Sequence, residues 1–308
     1  MRRPWSSSSW SKKKPPTQVG GTGKSGRKAA TAKRAREGVS VRYRARVEYD
    51  GTDFAGFQVQ PGRRTVQGEL ESALARLSGG ARVIVAGAGR TDAGVHARDQ
   101  VIAFTYRDRL GRPELQRALS ALLPADIGLG PLQKVAADFQ PRDRARYREY
   151  RYLIWNGPPS PLRERFALGV REPLDVRAMA RAGRVLLGRH DFSAFGGADR
   201  QPVRTLHRVE IGREVSREGA LITIRVVGDA FLRGMVRRIV AALLRVGHGT
   251  ANADEVRRQL AAKAPAWHGE TAPARGLTLW KVPMGPAHER RTSNETTDKR
   301  EQEQDNQE

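Results

Sequence analysis

Polar and apolar residues begin to alternate abruptly at Val41: Val41, Tyr43, Ala45, Val47 and Tyr49 are separated by Arg42, Arg44, Arg46 and Glu48. A period of two predicts a strand with one buried face. Asp50-Gly51 turns the chain, and Phe54 to Gln60 is an aromatic and glutamine segment without a clear period. The period then changes. Thr65 can cap a helix in which Val66, Leu70, Ala73, Leu74 and Leu77 share one face, and Gly79-Gly80 ends it. The apolar run from Arg82 to Ala86 reads as a buried strand and Val101 to Tyr106 as another, with a glycine-rich connection between them. A second helix has Pro113 in its first turn and Leu115, Ala118, Leu119 and Leu122 on one side. Pro124 stops it, and a weaker strand is expected near Leu129 to Val135.

The second half starts at Arg146. Tyr150, Tyr152 and Ile154 share one face of a strand, with Arg151 on the other. A loop of prolines (Pro158, Pro159, Pro161) leads to a helix capped by Asp175, with Val176, Met179, Gly183, Leu186 and Leu187 in register and Gly188 at its C-cap. Strands from His207 to Arg213 and Leu221 to Val227 precede the longest helix, Phe231 to Val246, apolar at Met235, Ile239, Leu243 and Val246 and closed by Gly247. A short helix near Asp254 to Ala262 and a strand from Leu277 to Val282 complete the series. Both halves therefore read β-α-β-β-α-β, the split βαβ or ferredoxin-like order written twice, without an internal sequence repeat. The expected fold is α+β: two ferredoxin-like halves, 41–145 and 146–284, sharing an extended, mainly antiparallel sheet. Helices are expected on one side, with a central cleft between the halves.

The ends differ in composition. Residues 1–40 are rich in Ser, Lys, Arg, Gly and Pro with Glu37 the only acid, and the chain past Pro286 is polar and mixed in charge. Neither can bury enough apolar surface to offset its ordering entropy, so a disordered basic arm (1–40) and a disordered polar tail (285–308) are expected. The net charge of +23 over 308 residues points to a polyanionic partner, most simply nucleic acid, although part of it sits on the arm. There is no cysteine, which excludes disulfides and thiolate metal sites and permits a reducing compartment. No apolar run approaches the roughly 18 residues that span a bilayer. Arg2 and Arg3 lack the apolar segment of a secretory signal, and the Ser-, Arg- and Lys-rich start also has some transit-peptide character. The expectation is a soluble cytoplasmic protein without a membrane partner.

Most catalytic chemistries fail on spacing. His96, His190, His207, His248, His268 and His288 are scattered, with neither an i, i+4 pair nor an acidic cluster, so no metal site is expected. There is no G-x-S-x-G elbow, the glycines at 87, 89 and 94 do not make G-x-G-x-x-G, and there is no Walker lysine. What remains is the stretch from Gly87 to Ala97, Gly-Ala-Gly-Arg-Thr-Asp-Ala-Gly-Val-His-Ala, set between two strands. Three glycines mark an unusual backbone path, and inside it sit one cation, Arg90, and one carboxylate, Asp92. An aspartate on a rigid loop at a strand end is where chemistry is often placed. The plain alternative is an ordinary turn over Thr91-Asp92-Ala93-Gly94 in which Asp92 bonds its own backbone. Spacing leaves both open.

The run Gly89-Arg90-Thr91-Asp92-Ala93-Gly94-Val95-His96-Ala97 resembles the signature of the tRNA pseudouridine synthase A family. Other segments fall in that family's order: Glu48-Tyr49-Asp50-Gly51 with Gly56-Phe57-Gln58-Val59-Gln60, Tyr150-Arg151-Tyr152, His190-Asp191-Phe192, Phe231 to Arg237, and Gly276-Leu277. The resemblance covers roughly residues 41 to 284. It implies an isomerase that converts uridine to pseudouridine at positions 38, 39 and 40 of the tRNA anticodon stem-loop, without a cofactor, as a homodimer with tRNA bound across it. By the same resemblance Asp92 is the catalytic aspartate, acting on the sugar C1′ as nucleophile or on the 2′ proton as base. A free aspartate, with a pKa of about 3.9, is ionised at neutral pH and ready for either task. Arg237 occupies the position of its ion-pair partner, although helical periodicity alone places Arg237 off the buried stripe. Arg90 matches the residue that fills or guides the displacement of a flipped uridine, a step costing a few kcal/mol. Tyr150 matches the tyrosine that stacks on the uracil and takes the C5 proton, and Leu277 packs on the base's other side. For each there is a plain counterpart: loop support for Arg90, sheet core for Tyr150 and Leu277, an exposed helix charge for Arg237. The chain departs from the family at Phe57, where Trp is usual, at Gln140-Pro141-Arg142, and at Glu149, where a basic residue is common; the last two are expected to soften RNA contacts at the cleft entrance. A noncatalytic RNA-binding protein on the same scaffold and a nucleic-acid-associated structural protein driven by the basic arm are the competing readings.

Overall fold

A computed structural model describes residues 39–107, 109–196, 201–262 and 271–285. The expected arm and tail lie, apart from residues 39, 40 and 285, outside the described residues. In chain order the elements are β1 (Ser40–Tyr49), α1 (Val66–Leu77), β2 (Val85–Gly87), β3 (His96–Arg107), α2 (Arg112–Leu122), β4 (Ile127–Leu129), β5 (Gln133–Lys134), α3 (Pro141–Arg144) and β6 (Arg148–Asn156). There follow β7 (Leu168–Val170), α4 (Val176–Arg184), β8 (Gly188–Asp191), β9 (Val203–Val215), β10 (Ala220–Gly228), α5 (Met235–Gly247), α6 (Ala253–Ala261) and β11 (Leu277–Lys281). All the strands join one sheet in the order β4-β1-β3-β11-β6-β10-β9-β8, with β2 beside β3, β5 beside β1 and β7 beside β6. The pairing is antiparallel except for β11 with β3 and β7 with β6. The fold is thus mixed α/β, a large and mostly antiparallel sheet with helices.

Alternation in the sequence drives this arrangement. Tyr43 and Val47 are fully buried, and the β1–β3 register sets Tyr43 opposite Phe104 and Ala45 opposite Ile102. Slipping that register by one residue would turn every arginine of β1 inward. In the second half Tyr150, Tyr152 and Ile154 lie opposite Val226, Ile224 and Ile222, and these six form part of the core. The helix ends follow their local chemistry. Thr65 Oγ1 accepts from the Gly68 N–H at the start of α1, and Asn252 with Glu255 forms a reciprocal capping box on α6.

One junction positions everything that follows. β11, from the end of the core, lies between β3 and β6, pairing Thr278 with His96, Leu279 with Ala97 and Leu277 with Tyr152. The start of β3, which the Asp92 loop enters, is thereby placed one strand away from the strand carrying Tyr150.

Several expected bounds move. β2 is confined to Val85–Gly87, and Ile84 is 64% exposed because this short strand pairs only with the far end of β3. The segment from Leu129 to Val135 divides into β4 and β5, both laid against β1. α4 ends at Arg184, and Gly188, expected to cap it, opens β8 instead. α5 starts at Met235, four residues later than its apolar spacing suggests. Gly234 precedes it at φ +69°, a left-handed conformation that interrupts a helix entering from Phe231. The short strands β5, β7 and β8 carry too few residues to show a period. No helix among the described residues is long and apolar enough to cross a membrane.

Candidate active site

The loop from Ala88 to Val95 is held by main-chain bonds on both sides. Ala88 N–H donates to the Val101 carbonyl, Phe57 N–H to the Thr91 carbonyl and Gly94 N–H to the Phe54 carbonyl, at 2.8, 3.1 and 3.2 Å. The turn itself closes through the main chain, the Val95 N–H donating to the Asp92 carbonyl at 3.2 Å. That answers the plain reading of the motif. A turn is present, but the Asp92 side chain does not make it; among the described residues this carboxylate accepts no hydrogen bond. It faces Arg237, whose Nη1 lies 3.8 Å from Asp92 Oδ2, with the two side chains 21% and 32% exposed.

Arg237 reaches this place because α5 begins late, which puts it in the helix's first turn. Its Nε donates to the Ala272 carbonyl at 2.7 Å, and the Ala272 N–H returns a bond to the Arg237 carbonyl at 3.2 Å. The Ala272 carbonyl therefore aims the guanidinium while a main-chain bond joins the two residues, although periodicity gave no reason to select Arg237. Its neighbour Arg238 donates to the Phe195 and Arg233 carbonyls. Burial lowers the pKa of Arg238, with Asp92 acting in the opposite direction.

Tyr150 is buried in β6 with its ring edge-on to Phe231, centroids 5.1 Å apart. Burial pushes its phenol well above the ordinary tyrosine range, and the nearby Tyr49 and the Asp92 charge push it further. The structure thus brings Asp92, Arg237 and Tyr150 together. Leu277 is buried at the start of β11 opposite Tyr152 and belongs to the core cluster. Arg90 is exposed and has no hydrogen-bond or ion-pair partner among the described residues.

Four supporting residues had no role in the sequence reading. The Tyr49 hydroxyl lies 2.8 Å from Thr91 Oγ1, and Gln100 Nε2 donates to the Gly89 carbonyl at 2.8 Å. Arg148 donates to the carbonyls of Ala88, Arg142 and Asp229, tying the loop's entry to the second half. His96 Nδ1 accepts from the Gly51 N–H at 3.0 Å, and its Nε2 lies 3.1 Å from the Arg275 carbonyl. Nε2 faces an acceptor and must carry the proton, so the neutral ring takes the Nε2–H tautomer. Asp50 Oδ1 sits 3.1 Å from Nδ1 and pulls the imidazole pKa up, but burial outweighs it and the net shift is downward. One signal was available in advance: Gln100 shares the parity of Ile102 and Phe104 on β3, an amide on a core face. Tyr49 gave none, since a buried strand tyrosine reads as core.

Glu149 requires a correction. It is 1% exposed and bound to Arg151 at 2.9 Å and Arg225 at 3.0 Å, on the sheet face opposite Tyr150. Burial alone would raise its pKa; the two guanidiniums outweigh that and hold the carboxyl below its ordinary value. It is a buried charge neutralised between two arginines, not a free carboxylate.

Comparison with known proteins agrees with this arrangement. Residues 45–142 and 182–283 match the family model described as tRNA pseudouridine synthase; Asp92, Arg90, Arg237 and Leu277 lie inside the matched stretches and Tyr150 between them. A protein from Shouchella clausii named tRNA pseudouridine synthase A is 46% identical over 248 residues, 79% of this chain and 94% of its own. One of the same name from Myxococcus xanthus is 42% identical over 263 residues, 85% of this chain and 99% of its own. A third, from Geobacillus kaustophilus, is 42% identical over 79% of this chain and 95% of its own length. With the model matching more than half the chain and these relatives covered almost end to end, the chain belongs to the tRNA pseudouridine synthase family.

Proposed function

We propose that this protein isomerises uridine to pseudouridine at positions 38, 39 and 40 of the tRNA anticodon stem-loop, with Asp92 as the catalytic nucleophile or base. The reaction breaks the N1–C1′ bond, forms C5–C1′, takes a proton from C5 and returns one to N1, so it needs neither a cofactor nor an external energy source. The observation that carries the reading is the free Asp92 carboxylate 3.8 Å from a guanidinium whose direction is fixed independently at Ala272. A pair this open adds little to stability, about 0–1 kcal/mol. Its use is to orient an ionised carboxylate while leaving it able to react.

The other roles follow. Arg90, exposed beside the carboxylate, takes the space left by the flipped nucleotide. Tyr150 stacks on the uracil; because its environment keeps the phenol protonated, it takes the C5 proton only by passing its own O–H proton to a base in the same step. Leu277 closes the base's other side. We also infer two ferredoxin-like halves, 41–145 and 146–284, supported by the local orders β4-β1-β3-β2 and β11-β6-β10-β9, and a homodimer in the cytoplasm with tRNA across it.

Pseudouridine formation in unmodified tRNA carrying uridines at 38–40 tests the reading, comparing the intact protein with Asp92→Ala. Product with the first and none with the second, with RNA binding retained, is expected. Binding without modification by either would favour the noncatalytic scaffold, and activity surviving in Asp92→Ala would remove Asp92 from its role.

A further inference from the structure

The Asp92 carboxylate makes no hydrogen bond among the described residues, so the main chain on either side of it sets its direction. Gly89 and Thr91, which flank Arg90, are both gripped from beneath. The Tyr49 hydroxyl from β1 meets the Thr91 hydroxyl at 2.8 Å, and the Gln100 amide from β3 donates to the Gly89 carbonyl. Tyr49 also engages the Gln100 side chain and lies within electrostatic reach of Tyr150. Tyr49 is 3% exposed and Gln100 is fully buried, among residues of the apolar core. A buried phenol and a buried amide both carry a desolvation cost that Phe and Leu, of similar size, would not. Gln100 Oε1 has no hydrogen-bond partner among the described residues, an unpaired buried acceptor that adds to the cost of an amide at this site. Packing therefore gives no reason for polar groups at these two sites, whereas the loop gives one.

We propose that Tyr49, together with Gln100, is a positioning residue of the isomerisation: it fixes Thr91 and Gly89 so that Arg90 projects outward and the Asp92 carboxylate is held facing Arg237. The inference rests on the catalytic reading of Asp92. A hydroxyl on the residue immediately before the aspartate restrains the rotations that would swing the carboxylate off its target. A displacement on the order of 1 Å at such a group costs roughly 100-fold in rate.

The test is Tyr49→Phe in the full chain, with Tyr106→Phe as control, since Tyr106 is another buried β-strand tyrosine whose hydroxyl donates to a carbonyl, that of Leu77 at 3.2 Å, away from the loop. Single-turnover kcat is expected to fall about 10- to 100-fold in Tyr49→Phe while KM for tRNA stays within about twofold. Thr91→Val should show the same loss, Thr91→Ser should recover most of it, and combining Thr91→Val with Tyr49→Phe should add little. Hydrogen exchange of the amides from Ala88 to Val95 should quicken in Tyr49→Phe, with β1 and the rest of β3 unchanged. A kcat within twofold of the parent, or a loss matched by Tyr106→Phe, overturns the proposal. The two readings fail separately: absence of pseudouridine with the parent protein overturns the reaction, whereas unaltered exchange in the loop overturns the role of Tyr49 whatever the reaction is.

Discussion

Arg237 meets Asp92 at 3.8 Å with one nitrogen and the Ala272 carbonyl at 2.7 Å with another, a division of labour that needs a planar fork. An ammonium at this position could serve one partner at a time. Arg237→Lys is therefore expected to lower kcat about tenfold or more while shifting the unfolding free energy by no more than about 1 kcal/mol, because a partly exposed pair contributes little stability. Single-turnover assays beside urea unfolding check this; a large stability loss with normal kcat would make Arg237 a structural residue. His96 carries a different expectation. Its folded form is the neutral ring, and burial keeps its pKa below the ordinary value of about 6.5. Below that pH the unfolded chain binds the proton more readily than the folded one, so the contribution of His96 is complete above about pH 6.5 and declines as pH falls beneath it. Asp50 is also depressed, its hydrogen bonds with Thr52 and Arg165 outweighing burial, but its loss belongs to lower pH, beneath the usual carboxylate value of about 3.9. Between pH 7.5 and 5.5 the parent should lose melting temperature, and His96→Asn, less stable by about 1–3 kcal/mol through the abandoned Arg275 carbonyl, should lose less over that interval. Equal slopes would assign the acid sensitivity elsewhere. The loop holding Asp92 and Arg90 stood out at this scale because its glycine-rich setting is unusual, although spacing left its role open. Arg237 was not, since its partner arrives from the other half of the chain and leaves no local period.

The turn after β1 and the Asp92 loop behave as one unit. Phe54 and Phe57 exchange main-chain bonds with Gly94 and Thr91, and Gly56 lies between them at φ +105°. A Cβ on Gly56 would sit 2.7 Å from the Thr91 carbonyl oxygen, inside any real contact and against backbone that cannot yield. Gly56→Ala combines this clash with a backbone strain of about 1–3 kcal/mol, and the element that must move is the one carrying the carboxylate. It should abolish pseudouridine formation while the protein still folds, measured by circular dichroism beside product analysis; full activity would show that the loop tolerates displacement. The aromatic and glutamine segment looked structureless in sequence because its order comes from this clasp and not from periodicity. Where one face is buried over many residues, as in β1, β6, β10, α1 and α6, the pattern located the elements well. It misjudged the bounds of β2 and β5 and missed β7 and β8, whose few residues are held by neighbours, and it started α5 too early, where the apolar spacing runs through a left-handed glycine.

Charge is the property that belongs to the whole molecule. Eleven of the 56 Lys and Arg residues and one of the 33 Asp and Glu residues fall within residues 1–38, so ten of the +23 net charges lie there and +13 on the remainder. Some of the core's arginines are already committed: Arg46 to Asp99, Arg151 to Glu149, and Arg225 to Glu149 and Glu210. Arg90, Arg142 and Arg233 are exposed, and their side chains have no partner among the described residues. All three border the site: Arg90 in the loop, Arg142 through its carbonyl's bond to Arg148, Arg233 just ahead of α5. Phosphate contacts made by such residues release counterions and give a salt slope of roughly 0.7–0.9 per phosphate in log affinity against log salt. Deleting residues 1–38 should thus leave kcat intact and raise KM for tRNA at physiological salt. Arg142→Ala and Arg233→Ala in the shortened chain should each flatten the slope by about one phosphate's share. A structural protein driven by its basic arm behaves otherwise, losing RNA binding with the arm and keeping little salt dependence in what is left. The salt series on the shortened chain separates the two, because only a core that reads tRNA through its own arginines keeps both turnover and a slope that single substitutions can reduce.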